Sequence, residues 1–417
     1  MQLRTIFNRL QKFKGFVYGK INWSQGEELA LDVHIRPRRG SRPVCSACGC
    51  KGSVYDTQEA RRFEFVPILQ IAVFFVYRMR RVDCRHCERV VTEQVPWSDG
   101  KSPITLTYRW FLAAWARRLS WSETARIFKT SWQSVFQAVQ FAVYWGIAND
   151  PRENVESIGI DEIAWQKGHS YLTLVYQLDA GKRRLLYVVR DRAKESLEGF
   201  FRQMGRERCE RIKYVVSDMW HNYLDVVKSQ LPNVIHVLDR FHVMKKLNEA
   251  IDEVRRSEVR EMSEAGYEPI LKKSRWCLLK RPENLTDRQT VSLQTLLKYN
   301  LKTTRAWLCR EDFQRFWEYT SPTWAGRFLD EWITRTLRSR IEPLKKVAET
   351  VRRHQPLLLN WFKAHGELPG GAVEGLNGKA KLSMRKAYGY KSFDVAQIAL
   401  FHTLGQLPTP EFTHKFW

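Results

Sequence analysis

Between Ser157 and Leu238 the chain carries five short runs dominated by β-branched and aliphatic residues: Ser157 to Ile163, Tyr171 to Leu178, Leu185 to Val189, Lys213 to Ser217 and Val234 to Leu238. Turn-like Gly168-His169 and Ala180-Gly181 separate the first three, which are expected to pair as an antiparallel meander. Helical segments, Glu195 to Met204 and Trp220 to Leu231, precede the fourth and fifth. A helix between two strands carries the chain back across the sheet and leaves them parallel. The order βββαβαβ therefore restricts this region to one mixed sheet. A dinucleotide-binding sheet would begin with a crossover and a glycine-rich turn, and this segment has neither.

That order matches a ribonuclease-H-like sheet, whose first and fourth strands are neighbours. Asp161 lies in the first strand, within Ile158-Gly-Ile-Asp-Glu162, and Asp218 ends the fourth, within Tyr214-Val-Val-Ser-Asp-Met-Trp220. Two carboxylates meeting at strand ends, with a third from a later helix, can hold two divalent ions about 4 Å apart for phosphoryl transfer. Mg²⁺ prefers such hard oxygen ligands. Either Asp alone is better read as an ordinary strand-end or helix-cap residue. A third acid is offered by Glu374, where a helix begins in Gly370-Gly-Ala-Val-Glu-Gly-Leu-Asn-Gly-Lys. Asn377 and Lys381 share its face, and Lys379, Arg385, Lys386 and Lys391 crowd one flank. A carboxylate for metal among bases for a phosphodiester suits DNA cutting; a plain Glu-to-Lys helical pair is the simpler reading.

The amino-terminal part carries two C-x-x-C knuckles, Cys45-Ser-Ala-Cys48 and Cys84-Arg-His-Cys87. Each places two thiolates on one tight turn, and together they complete a tetrahedral zinc site. The long interval between them contains Val66 to Tyr77, which reads as a strand able to close the loop as a ribbon. Cys50 and His86 are spare ligands; Cys209, Cys277 and Cys309 have no pattern. A redox pair or free buried thiols is the alternative, and the paired knuckles favour zinc in a reducing compartment.

From Thr105 to about Tyr144 the pattern turns helical. Ser120 with Glu123 forms a capping box, Ala125 and Phe128 fall on an inner face, Lys129-Thr130-Ser131 makes a short turn, and Val135 and Val139 continue the apolar stripe. A helix-turn-helix of this kind offers the start of its second helix to the major groove. Ser131, Gln133, Ser134 and Gln137 are then candidate base readers, with Arg117, Arg118, Arg126 and Lys129 near phosphates. A plain helical bundle is the alternative.

Charge supports a polyanion partner. The 417 residues include 69 Lys plus Arg against 45 Asp plus Glu, a formal +24. Neutralising phosphates releases condensed counterions, so such a field favours nucleic acid. With 44% apolar and 27% charged residues the chain is too apolar for a disordered one, and its length suggests about two to four domains. The longest apolar stretch, broken by Pro67 and Gln70, falls short of the ~18 residues a membrane span needs. The opening residues show no apolar targeting core. A cytosolic protein without a membrane partner is expected.

The segments around Asp161 (Gly-Ile-Asp-Glu), Asp218 (Ser-Asp-Met-Trp), Asp239 with His242 (Leu-Asp-Arg-Phe-His) and Glu374 (Val-Glu-Gly-Leu-Asn-Gly-Lys) resemble the DDE transposases of bacterial insertion sequences, in particular the ISL3 family. The likeness spans nearly the whole chain. It implies an α/β multidomain protein: an N-terminal zinc-binding β-rich module (1–100), a helix-turn-helix (101–150), and a ribonuclease-H-like catalytic domain (151–240 and 366–417) interrupted by an all-α insertion (241–365). It further implies Asp161, Asp218 and Glu374 as ligands of two Mg²⁺, with Mn²⁺ as a substitute. Asp239 and His242 look similar to a D-x-x-H pattern in related transposases; an Asp239–Arg240 ion pair beside a core histidine explains them equally well.

The activity implied is cleavage at terminal inverted repeats and strand transfer into target DNA, by a homodimer acting at the bacterial nucleoid. The alternatives are a non-catalytic zinc and helix-turn-helix regulator, or a ribonuclease-H-like nuclease acting on hybrids or branched DNA. Phe241 to roughly His365 reads as helical, with Thr286 to Gln289 a second capping box and Pro282, Pro322, Pro343 and Pro356 as punctuation. Leu293, Leu296 and Leu297 are expected to be core, as are most of Trp307, Trp317, Trp324 and Trp332, any of which could instead stack on an unpaired base.

Overall fold

A computed structural model of the chain describes residues 3–24, 29–100, 102–166, 170–268, 270–364, 368, 371–387, 389–390 and 392–411. By their contacts they divide into two units, Met1–Pro151 with Ser383–Trp417, and Arg152–Leu382.

The first unit opens with helix α1 (Leu3–Leu10) and strands β1 (Phe16–Trp23), β2 (Ala30–Pro37), β3 (Ser53–Ile68), β4 (Ile71–Cys84) and β5 (Arg89–Thr92). They form one sheet in the order β1-β2-β4-β3, with β5 also on β4; β2 and β4 run parallel and the other pairs antiparallel. Phe7, Phe13, Tyr18, Phe63, Phe75, Tyr77 and Trp97 bury an aromatic core against this sheet. The run Val66 to Tyr77 is not one strand. The chain reverses at Leu69 and Gln70, whose φ values are 48° and 65°. Tight hairpin turns need positive φ and usually advertise it with Asn or Gly, so Leu-Gln gave no signal. Helices α2 (Leu106–Arg118), α3 (Trp121–Ile127) and α4 (Trp132–Ala148) follow, with the Ser120–Glu123 capping box in place on α3.

The second unit is built on β6 (Ser157–Gln166), β7 (Ser170–Gln177), β8 (Arg184–Arg190), α5 (Lys194–Met204), α6 (Arg206–Cys209), β9 (Tyr214–Ser217), α7 (His221–Gln230) and β10 (Ile235–Leu238). The sheet order is β10-β9-β6-β7-β8, with β6, β7 and β8 antiparallel and β6, β9 and β10 parallel. The expected turn at Gly168-His169 lies outside the described residues. Strand residues alternate between faces. Ile158, Ile160 and Val215 therefore join Leu197, Phe200, Tyr223 and Val226 in a core under α5 and α7. Val216 and Val237 face the other way.

Beyond β10 come α8 (Arg240–Glu264), α9 (Arg275–Leu279), α10 (Asp287–Leu297), α11 (Lys302–Gln314), α12 (Pro322–Leu337), α13 (Glu342–Arg353) and α14 (Gln355–Lys363). Pro322, Pro343 and Pro356 each fall in the first two positions of a helix, where a missing N–H costs nothing. The Thr286–Gln289 capping box is present. Buried Glu258 accepts hydrogen bonds from the amides of Lys302 (2.8 Å) and Thr303 (2.9 Å), so it ties the start of α11 to α8. Leu293 and Leu296 are core; Leu297 is exposed. Trp332, Trp307 and Trp317 are buried in this bundle, whereas Trp324 is 59% exposed.

The chain continues into α15 (Ala372–Lys386) and α16 (Phe393–Leu404). The segment Ser383–Trp417, expected to complete the domain of β6, belongs by contact to the first unit. The reason is visible in α16: Ala396, Ile398, Ala399, Leu400, Phe401 and Leu404 are all buried, and α16 packs on α4. A helix apolar around most of its circumference must be covered on several sides. Gly146 permits the approach, since a Cβ there would stand 2.6 Å from that of Leu407.

Candidate active site

The parallel strands of the second unit bring three acids into one row. Ile160 of β6 and Leu238 of β10 both pair with Ser217 of β9. The next residue on each strand is Asp161, Asp218 and Asp239 in turn, and the Asp239 amide donates to the Ser217 carbonyl at 2.8 Å. Residues in register on adjacent parallel strands share a face, with strands about 4.8 Å apart. Asp161, Asp218 and Asp239 therefore stand on the face opposite the α5–α7 core, at neighbouring positions.

Asp161, Asp239 and His242 each offer a ligand atom within 4.8 Å of the other two. The His242 Nε2 lies 3.6 Å from an Asp161 oxygen. Asp239 caps α8 by accepting from the Phe241 amide at 2.9 Å, which fixes the helix start and sets His242 beside the row. Asp218 stands outside that group and accepts from the Trp220 amide at 2.9 Å. Glu374 is exposed at the start of α15 and lines the same cleft as Asp239. Thus the residues drawn tightest are Asp161, Asp239 and His242, while Asp218 and Glu374 flank them.

Asn377 is buried and links α15 to the row: its Nδ2 donates to Asp161 Oδ2 at 2.5 Å, and its Oδ1 accepts from the Tyr176 hydroxyl at 2.7 Å. Tyr176 pairs with Gly159 across β6 and β7. Neither Gly159 nor Tyr176 was singled out by the sequence, because a strand glycine and a strand tyrosine are ordinary in isolation. Gly159 has a steric duty here. A Cβ at this position would lie 2.6 Å from Val373 Cγ2, so the missing side chain is what lets α15 settle on β6 with Asn377 in reach of Asp161. Gly159→Val is accordingly expected to destabilise the fold by about 1–3 kcal/mol. An unchanged urea midpoint would mean that α15 does not depend on this approach.

The electrostatics are those of crowded acids. Burial raises the carboxyl pKa of Asp218; the Trp220 amide and His242 offset part of this, and Asp161 adds to it. Asp239 is raised in the same way, by burial first, against the Phe241 amide and His242, with Asp161 and Glu374 adding. Glu162 is raised by burial although its carboxylate is 3.0 Å from Arg192. Burial alone would lower His242, yet the hydrogen bond to Asp161 and the charges of Asp161, Asp239 and Asp218 raise it. Gathered carboxylates relieve such repulsion by binding a cation. Oxygen donors with one imidazole suit Mg²⁺ or Mn²⁺.

In the first unit Cys45, Cys48, Cys84 and Cys87 meet, with their sulfur atoms all within 4.8 Å. Cys45 and Cys87 sulfurs are 3.6 Å apart, and those of Cys48 and Cys84 3.5 Å. Tetrahedral zinc with bonds near 2.3 Å would set sulfurs about 3.8 Å apart, so the cluster fits that ion. The β3–β4 hairpin is the device that closes the long interval between the knuckles. Cys48, Cys50 and His86 form a second, overlapping group.

Ser131 caps α4 and shares its hydroxyl with Ser134 at 2.9 Å, which leaves Gln133 and Gln137 as the exposed amides of that turn. Arg117, Arg118, Arg126 and Lys129 are exposed, as are Lys379, Lys381, Arg385 and Lys386 of α15. The Lys386 ammonium donates to the Arg118 carbonyl, tying the end of α15 to that of α2 at 2.5 Å. The flanking Lys391 lies outside the described residues.

Comparison with known proteins gives this arrangement a context. The sequence profile of the ISL3 transposase family matches residues 158–400, more than half of the chain. The transposase for insertion sequence element IS1001 of Bordetella parapertussis is 26% identical, over 93% of this chain and 95% of its own length. The transposase for insertion sequence element IS1557 of Mycobacterium tuberculosis is 29% identical, over 92% of this chain and 91% of its own length. Among the described residues no helix is long and apolar enough to cross a membrane. With the matched region enclosing Asp161, Asp218, Asp239, His242 and Glu374, the chain belongs to the ISL3 family of DDE transposases.

Proposed function

We propose that the protein binds the terminal inverted repeats of an insertion sequence and catalyses divalent-metal-dependent strand cleavage followed by strand transfer to target DNA. The observation that carries this reading is the register row of Asp161, Asp218 and Asp239 across three parallel strands. Strand order β10-β9-β6-β7-β8 supports a ribonuclease-H-like sheet, and the long helical segment from α8 to α14 supports an insertion ahead of Glu374.

In this reading Asp161, Asp218 and Glu374 hold two divalent ions, with Asp239 and His242 completing the donor set. Such ions, when bound, lower the pKa of an attacking water and neutralise charge on the phosphodiester. The protein's own part is placement. Asn377, itself oriented by Tyr176, fixes one Asp161 oxygen and leaves the other toward His242. Lys379, Lys381, Arg385 and Lys386 lie along the helix that carries Glu374 and suit the backbone of the bound strand. Four thiolates would hold a structural zinc. Gln133 and Gln137, with Ser131 and Ser134 organising the turn, would read base edges while Arg117, Arg118, Arg126 and Lys129 meet phosphates. Cutting two ends in concert makes a homodimer the expected assembly.

The test is incubation of the full chain with duplex DNA from the border of its own coding region, in Mg²⁺ or Mn²⁺. Breaks at one fixed position leaving a 3′-hydroxyl, followed by joining to a target plasmid, are expected, and chelation should stop both. Sequence-specific binding with no strand breakage in either ion would overturn the reading.

A further inference from the structure

Beside the four gathered thiols of the first unit, Cys48, Cys50 and His86 bring a second set of ligand atoms within 4.8 Å of one another, and Cys48 belongs to both sets. The sequence supplies the pieces. Cys48-Gly-Cys50 extends the first knuckle by one further thiol, and His86 stands inside the second, between Cys84 and Cys87. Gly49 has φ 73°, a left-handed turn that suits glycine and brings Cys50 back toward Cys48. The Cys45 amide closes this turn on the Cys50 carbonyl at 2.8 Å, and the Cys50 amide donates to the Cys48 sulfur. Backbone geometry therefore holds Cys50 at a fixed place beside the knuckle.

Burial separates the two sets. Cys45 and Cys84 are buried, Cys48 and Cys50 are half-buried, and His86 is exposed, so the second set stands on the outer side of the cluster with Cys48 at the boundary. Four thiolates around one Zn²⁺ carry net negative charge, and a metal-bound thiolate keeps lone pairs with which it can bridge a second soft cation. Two thiolates and one imidazole prefer zinc to magnesium, and three protein ligands leave the fourth tetrahedral position to water. Zinc bonds of about 2.3 Å to sulfur and about 2.0 Å to nitrogen set those two atoms about 3.6 Å apart, a distance that a turn of the exposed His86 ring supplies. We infer that Cys48, Cys50 and His86 form a second zinc site, in which the Cys48 thiolate bridges two ions. The inference rests on the four-thiolate zinc proposed above and adds an ion to it. A shared ligand and an open face make the second site the weaker one. A chain isolated without added metal therefore keeps one ion, and the second enters as free zinc rises.

The probe is Co²⁺, because thiolate bound to cobalt gives a charge-transfer band that cobalt among the carboxylates at Asp161 does not. The full chain carrying its one zinc is titrated with Co²⁺ under reducing conditions, with an indicator dye reporting any zinc set free. One equivalent of Co²⁺ is expected to develop the thiolate band while the zinc stays bound. Cys50→Ser and His86→Ala should each keep that zinc and take up the cobalt at least about tenfold more weakly. Absence of the thiolate band in zinc-loaded wild type, or release of one zinc for each cobalt taken up, would overturn the second site. A band of unchanged strength and affinity in Cys50→Ser would do the same. Loss of the first zinc from Cys50→Ser would also overturn it, by making Cys50 a ligand of the first ion. A wild-type chain that holds no zinc at all would instead overturn the four-thiolate site on which the inference rests.

Discussion

Asp161→Ala is expected to lower strand cleavage by about a thousandfold or more, with binding to end DNA changed by less than about twofold. Loss of one oriented charged group in a catalytic site costs this much when it acts on developing charge. Asp161 is the acid on which the other contacts converge: it receives Asn377, faces His242, and shares a ligand cluster with Asp239. Binding should survive because the basic helices of the first unit are untouched. Cleavage and electrophoretic retention measured on one preparation separate the two effects. Cleavage within tenfold of wild type would remove Asp161 from the catalytic assignment.

Cys84→Ser is expected to abolish zinc binding and to unfold the amino-terminal sheet. Cys84 ends β4 and is almost wholly buried, so its thiolate cannot be replaced by a neighbour without moving the strand. Zinc in four-ligand sites contributes about 10–16 kcal/mol to the folding of small modules, more than a sheet of this size can lose. Elemental analysis should find one zinc per wild-type chain and none in the variant, and end binding should fall at least about a hundredfold. Cys209→Ala serves as the control. Its thiol donates only to the Phe201 carbonyl in an apolar core, and its zinc content should equal wild type. Full zinc in Cys84→Ser would refute the four-thiolate site.

Much of the second unit was legible from local pattern. Strand runs and crossover helices between Ser157 and Leu238 were marked by β-branched content and turn residues, and β6 to β10 follow them closely. Capping boxes at Ser120 and Thr286 and prolines at helix starts were equally readable, because their signals lie within four residues. What the chain hid depends on distance. The Leu69-Gln70 reversal uses residues that seldom take positive φ, and its stability comes from the long β3–β4 ladder around it. The assignment of α16 to the first unit depends on which apolar surface needs covering, a property of the assembled helices.

At the site, the acids were recognisable by neighbouring sequence but their ranking was not. In the sequence Asp239 and His242 read equally well as a D-x-x-H pattern or as an ion pair beside a core histidine, and only the strand register sets them beside Asp161. Arg240 in fact lies over Trp317. The tightest approach at Gly159 and the hydrogen bond of Tyr176 are to residues some two hundred positions away, Val373 and Asn377, so no local signal marks them.

In the proposed mechanism Asp161 and its neighbours hold a divalent ion. Anomalous scattering from crystals of the full chain soaked in Mn²⁺ tests it directly. A manganese peak bonded to an Asp161 oxygen and to at least one of Asp218, Asp239 and Glu374 is expected. Manganese bound elsewhere, with the Asp161 carboxylate contacting only Asn377, His242 and the Glu162 amide, would refute the mechanism.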